Sequence, residues 1–529
     1  MPISFDTIPA QWRMPLYWVE VDPSMAGLPI IRQPALLVGS MIADPDNTDI
    51  YDTPEAALPA GVFPGDAVPN VPKPIGTQAQ ADRAYGEGSE LASMVRAFLA
   101  NNFAHELWCL PMAPLAGSTA ATGTIKMDTV AIEAGMLHLY IAGHHVGIVI
   151  GTTDTVDNIA TNLAEAINDD TTLPVIATSA TDTVTITAKQ RGVNGNDITV
   201  QTNYFGKIGG QEYPPGFTLT LPATGFLTGG SGIPDPQDAI AAMGEHEYDF
   251  IALSNTDSNT LFFWKQEMSQ EDTGRWGWMR QLYGQLFTAK RDTYSNLILW
   301  GETQNSGMLS VMAVEPNSPS PTYEWACAYC AKAARGLTND PARPLQTLTL
   351  NRILPAQAEL RFILPELNSL SGVGLATQKT GSDRQPMIMR ETTTYQLNLY
   401  SQSDDAYELC TTMATLTRLI RNQRHAITTK YPRHKLADDG TRFGAGQKIV
   451  TPKVIKAELI SQYRIDEFNG LVENVQAFKE HLIVERNNMD PNRLDVLYPP
   501  DLVNQLRVFA VVAQFRLQYN RGQDLEIIK

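Results

Sequence analysis

The sequence predicts an α/β multidomain fold, and three observations carry that prediction. The chain has 529 residues, too many for one apolar core, so it divides into several domains. Strand-like apolar runs alternate with segments of helical spacing on both sides of a Thr- and Gly-rich stretch at 116–232. The composition is 43% apolar and only 18% charged, with 38 Gly and 34 Pro, which suits a folded, turn-rich chain with much strand.

Residues 1–22 predict an arm. Pro9, Pro15 and the scattered aromatics Phe5, Trp12, Tyr17 and Trp18 have nothing local to pack on, so their apolar surface implies a neighbour's sheet edge. Pro34–Gly39 predicts a buried strand, Ser89–Leu99 a helix with apolar positions 91, 94, 95 and 98, and Glu106–Met112 a second strand. Within 116–232, Gly135–Gly143 and Val146–Ile150 predict a hairpin. Thr155–Asn168 predicts a helix with Ile159, Leu163 and Ile167 on one face, and Thr183–Ala188 alternates as a half-buried strand. This stretch is expected to be a self-contained, β-rich α+β domain inserted into the α/β unit.

The α/β pattern resumes with a helix at Asp238–Met243 and a strand at Tyr248–Leu253. Strand-like runs at Asn296–Gly301 and Leu345–Leu350 flank a helix near Tyr323–Gly336. The last 130 or so residues change character. Thr392–Tyr400 predicts a strand, Ala406–Gln423 a long helix followed by a basic loop, and another helix starts near Pro452. The closing run Leu506–Tyr519 alternates and is a second candidate for strand donation.

Charge narrows the function. A net charge of −17 argues against nucleic acid as a primary partner, yet residues 415–529 hold 18 Lys+Arg against 13 Asp+Glu. This basic end either docks on an acidic protein surface or is a solvated fluctuation. No run approaches the roughly 20 apolar residues a membrane span needs, and the first residues lack a secretory pattern, so a cytoplasmic site of synthesis is expected.

The groups that look chemical are weak. Cys327 and Cys330 form a CxxC without a second pair, and with Cys109 and Cys410 they are expected to be buried thiols. His144 and His145 are neighbours on a strand and point to opposite faces, so they cannot share a metal. Thr228–Gly232 lacks the Lys-Ser/Thr of a phosphate loop, and there is no Gly-x-Ser-x-Gly elbow. Asp235, Asp257, His246 and Ser306 have no catalytic signature around them. No catalytic, cofactor or metal residue is therefore expected. Arg418, Arg421 and Arg424 recur every three residues on one helix face, and His425, Lys430, Arg433, His434 and Lys435 continue the patch. They form a solvated face, a docking face for an acidic protein or, less simply, a site for nucleic acid or lipid.

Several motifs occur in one order. Ile3-Ser4-Phe5-Asp6 with Ile8-Pro9, Tyr85-Gly86 with Gly88-Ser89, and Leu91-Ala92 with Met94 come first. Arg390-Glu391-Thr392-Thr393-Thr394-Tyr395 follows, and then Lys448–Pro452, Gly470–Asn474, Val484–Asn487, Asp490–Asp495 and Pro499–Leu506. Together they resemble the tail sheath proteins of Mu-like contractile phages over nearly the whole chain, least within 116–232.

That resemblance implies a sheath core at 23–115 plus 233–388, subtilisin-like in fold but without catalysis. It also implies an outward-facing insertion at 116–232, a C-terminal domain facing the tube at 389–504, and linking arms at 1–22 and 505–529. The implied partners are copies of the chain in stacked six-fold rings, the tail tube, the baseplate and the tail terminator, with no cofactor and no membrane insertion. The implied location is the virion, after assembly in the host cytoplasm. Leu16, Trp18, Val19, Val508, Ala510, Val512, Phe515 and Leu517 are the expected link residues, and Arg418, Arg421 and Arg424 the candidates for docking on the tube. A bacteriocin or secretion-system sheath is the alternative setting.

Overall fold

The computed structural model describes residues 33–47, 50–51, 55–444 and 446–515. At its centre is a six-stranded sheet in the order Leu309–Val314, Gln285–Arg291, Phe250–Leu253, Ala35–Ser40, Leu107–Met112 and Lys73–Pro74. The first five are parallel and the last pairs antiparallel with Leu107–Met112. A parallel sheet needs cover on both faces, and the side chains divide accordingly. Leu37, Cys109, Ala252, Phe287 and Met312 face one apolar cluster with the helices Glu90–Asn101 and Thr322–Asn339. Leu36, Leu110, Ile251, Leu286 and Val311 face another, closed by Pro236–Met243, Ser258–Glu267, Tyr294–Gly301 and Leu364–Gly372.

Small residues set the helix-to-sheet spacing. Ala326, Ala328, Ala331, Ala333 and Ala334 are fully buried in Thr322–Asn339, which lets the helix lie close while Trp325 and Tyr329 fill the remaining space. The polar atoms of those two rings are satisfied, Trp325 Nε1 by Ser318 Oγ at 3.0 Å and Tyr329 OH by Ser310 Oγ at 2.8 Å. Gly39 allows the equivalent approach on the first strand, since a Cβ there would stand 2.5 Å from Met94 Sδ.

Residues 116–232 lie between Met112, where the chain leaves this sheet, and the helix Pro236–Met243, which precedes its return at Phe250. They carry a four-stranded antiparallel sheet (Leu219–Thr220, Ala120–Met127, Thr183–Arg191, Val175–Ala180), a three-stranded one (His144–Ile150, Gly135–Ile141, Val200–Thr202) and the helix Val156–Asp169. Ile159, Leu163 and Ile167 close a separate apolar cluster between them. The segment is tied to the parallel-sheet unit by buried and half-buried polar contacts. Asn194 Nδ2 donates to Glu90 Oε2 at 2.8 Å, Arg291 Nη1 meets Asp197 Oδ1 at 2.6 Å, and Thr199 Oγ1 donates to Pro319 O at 2.6 Å.

After the hairpin Thr377–Thr380/Pro386–Arg390 comes the long helix Cys410–Lys430, which runs about two turns beyond the predicted end at 423 and absorbs part of the expected basic loop. Pro452–Phe468, Val475–His481 and the hairpin Ile483–Arg486/Leu494–Leu497 complete a smaller cluster. At its centre Tyr463 and Phe478 stack with centroids 3.8 Å apart.

Three expectations are corrected. Asn296–Gly301 is helical, started by Thr293, whose hydroxyl accepts from Asn296 N–H; Leu297 is buried while Leu299 is exposed, a one-sided pattern that a short apolar run does not reveal. Leu345–Leu350 forms no strand, only the bridge Thr349–Met387. Thr392–Tyr400 also lacks a ladder, because its threonines bond to loop carbonyls instead: Thr393 Oγ1 donates to Tyr407 O at 2.5 Å and Thr394 Oγ1 to Ser306 O at 3.1 Å. Two strands of the six-stranded sheet, Gln285–Arg291 and the edge strand Leu309–Val314, were not anticipated. Polar residues interrupt their apolar runs, and tertiary hydrogen bonds make those residues tolerable, as when buried Thr288 Oγ1 donates to Leu253 O at 2.9 Å.

Candidate functional site

No constellation suited to chemistry emerges among the described residues. Cys109, Cys327, Cys330 and Cys410 are all buried free thiols, and burial pushes each of them up, away from the reactive thiolate. His144 and His145 diverge as expected. His145 Nε2 pairs with His138 Nδ1 at 2.9 Å, while His144 Nε2 stands 3.6 Å from Glu324 Oε1. No group of three or more His, Cys, Asp or Glu able to hold a metal is present among the described residues.

The three arginines of the long helix separate. Arg421 is nearly buried, with Nη1 2.5 Å from Asp249 Oδ1 and Nη2 2.6 Å from Glu247 Oε1. Burial works against its charge, and the two carboxylates more than offset that, so the guanidinium stays above its ordinary value. Arg418 donates through Nη2 to Thr338 O at 3.0 Å and Gln33 Oε1 at 3.2 Å. Both therefore clamp the long helix to the parallel-sheet unit. Only Arg424 of the three is exposed, and it borders a hollow of about 620 Å³ lined by Ile420, Ile427, Leu436 and Ile455.

The C-terminal segment has the other notable geometry. Glu391 is completely buried, and both its oxygens accept from Arg507, Oε2 from Nη1 at 2.9 Å and Oε1 from Nη2. Gln505 Nε2 donates to Ala342 O at 2.7 Å. These contacts root the segment. Beyond them Val508, Phe509, Val511, Val512 and Phe515 are 67–95% exposed, and residues 508–515 belong to no ladder. Ala510 is exposed too. Leu16, Trp18, Val19 and Leu517 lie outside the described residues.

The root was missed in the sequence, although both ends were in view. Glu391 sat inside the Thr-rich motif and Arg507 inside the alternating run, but nothing marked them as partners 116 residues apart.

Residues 229–394 match the phage tail sheath protein central domain, and residues 402–516 match the phage tail sheath C-terminal domain. The tail sheath protein of the Mu-like prophage FluMu of Haemophilus influenzae is 36% identical over 519 residues, which cover 98% of this chain and 100% of that protein. This chain belongs to the phage tail sheath family.

Among solved structures, the sheath chain is similar to the sheath tail protein of Listeria innocua, with TM-score 0.44 and 9% identity over 90% of this chain and 93% of that one. A chain of the anti-feeding prophage baseplate gives 0.45 and 9% over 96% and 100%. The contracted sheath of an extracellular contractile injection system gives 0.43 and 9% over 97% and 99%. In the sheath chain the Thr-rich motif carries the buried carboxylate that holds the root of the C-terminal segment.

Proposed function

We propose that this tail sheath protein works by polymerising and rearranging, with no substrate, as the subunit of a contractile phage tail. The observation that carries the reading is the rooted, apolar and unpaired segment 508–515. Apolar side chains held in water by a fixed root need cover, and in a sheath the available cover is a neighbouring copy. Subunits stack as six-fold rings around the tail tube, with residues 23–115 and 233–388 as a subtilisin-like core without catalysis, 116–232 outward, and 389–504 towards the tube. Arms at 1–22 and 505–529 link neighbours through Leu16, Trp18, Val19, Val508, Ala510, Val512, Phe515 and Leu517.

The mechanism is bistable packing. An extended lattice is held by the tube, the baseplate and the tail terminator. Release at the baseplate lets near-rigid subunits rotate into a shorter, wider lattice that drives the tube through the host envelope, while the arms keep the links. The product is a virion component assembled in the host cytoplasm. Because Arg418 and Arg421 are engaged within the chain, docking on the tube falls chiefly to Arg424. The Mu-like prophage relative favours a phage over a bacteriocin or secretion-system setting.

The test is electron microscopy of the purified chain beside a variant lacking residues 1–20. Striated tubes from the full chain and soluble monomers from the variant are expected; normal sheaths from the variant overturn the arm mechanism.

A further inference from the structure

The segment between the two sheath domains, around residues 395–406, forms a rigid tip. Asn398 Oδ1 accepts from the N–H of Tyr400 at 2.9 Å and of Gln402 at 3.1 Å, while Asn398 N–H donates to Gln402 O at 2.9 Å. Its base is clamped by Asn305, whose Oδ1 accepts from the N–H of Gln396 at 2.9 Å and of Leu397 at 3.1 Å, and whose Nδ2 donates to Leu397 O at 2.9 Å. Tyr395 OH adds a bond to Asp404 at 2.7 Å. On this scaffold Leu399 is fully exposed and Tyr400 is 84% exposed. A tip so well ordered loses little conformational freedom on docking, and its two large apolar side chains contribute nothing to the subunit's own core.

The chain also carries a receptacle of the right character. The hollow of about 620 Å³ beside the second half of the long helix has an apolar floor that includes Ile420, Ile427 and Val496. Arg424 and His434 stand on it, and no carboxylate lines it. The tip is the electrostatic complement, since two carboxylates, Glu271 and Asp404, against one cation, Lys265, line the depression beside Leu399 and Tyr400. Tyr407, at the tip's base, lies three residues before the long helix begins, and Arg424 lies fourteen residues into it. At about 1.5 Å per residue that separates tip and hollow by roughly 20 Å along the helix, so a chain's own tip does not fill its own hollow.

We infer that Leu399 and Tyr400 of one copy insert into the hollow bordered by Arg424 and His434 of the next copy, a contact separate from the arms. This rests on the sheath reading. Tip and hollow are different surfaces, so the contact is heterologous and repeats from copy to copy, as a helical or ring polymer requires.

The test pairs Leu399→Ser, Tyr400→Ser with the parent full-length chain. The double variant is expected to melt as the parent does but to need at least ten-fold more protein to form tubes. Assembly at the parent's concentration overturns the inference. Separately, chains carrying Tyr400→Cys are mixed with chains carrying Thr428→Cys, a solvent-exposed position lining the hollow, and oxidised after assembly. Cross-linked dimers are expected, against low background because the native thiols are buried. Tubes without this cross-link, or a cross-link to Thr428→Cys from Phe515→Cys in its place, assign the hollow elsewhere and also overturn it. Failure of the parent to form tubes at all counts instead against the sheath reading.

Discussion

In the parallel-sheet unit Trp264 and Trp325 are wholly buried and their neighbours are Ala, Leu and Val from both strands and helices. From Val508 to Phe515 the same kinds of side chain stand in solvent, although Arg507 fixes the backbone just before them. The first region is complete within one chain. On the proposed sheath function the second is half of an interface, since fully burying a side chain such as Val or Phe yields about 1.5–3 kcal/mol that the lone subunit does not gain. That function assigns folding and assembly to different residues, and substitutions can separate them.

The largest expected effect is on assembly alone. Truncation after Arg507 should abolish tubes in the microscope while leaving the monomer's stability within about 0.5 kcal/mol; tubes from the truncated chain would break the comparison. Next, Trp325→Ala should cost the fold about 3–5 kcal/mol in denaturant titration, whereas Phe509→Ala should be nearly silent in the same assay. An equal loss from both would mean that the C-terminal segment packs on its own chain.

Arg507→Ala addresses the junction of the two regions. It leaves Glu391 buried without its countercharge, so a loss of about 3 kcal/mol is expected, and weaker assembly with it. Arg421→Ala should destabilise the monomer by a similar but smaller amount, because Glu247 is partly solvated, and Arg424→Ala should not be felt in the monomer at all. The smallest effect is on pH dependence. Burial holds His105 below its ordinary 6.5, so the unfolded chain takes up the proton first. Its contribution is present above that pH and is lost as the pH falls below it, and thermal melts of His105→Gln should show a flatter acid limb.

Much of the α/β unit was legible because its signals are local. Pro34–Gly39 is an uninterrupted apolar run bounded by turn residues, and Ser89 caps a helix whose apolar spacing matches its buried face. The antiparallel sheets between residues 116 and 232 coincide with the Thr- and Gly-rich composition. What failed shares one cause. Thr288 and Ser310 sit in buried strands, and Thr392–Thr394 lie fully buried outside any ladder, because partners distant in sequence satisfy their hydroxyls. A polar residue signals exposure until its partner is known. The arginine face misled in the same way, since three-residue spacing places Arg418, Arg421 and Arg424 together without saying that Asp249 and Thr338 are within reach.

By itself the sequence determined the α/β alternation, the change of composition at 116–232 and the apolar character of the C-terminal run. Periodicity and composition are properties of adjacent residues, so a linear reading recovers them. Only the tertiary structure decided that Glu391 roots Arg507, that two of the three arginines are internal clamps, and that Leu399 and Tyr400 crown a rigid tip. Each depends on groups tens to hundreds of residues apart, and whether a charge or an apolar ring is free depends on what the fold places against it.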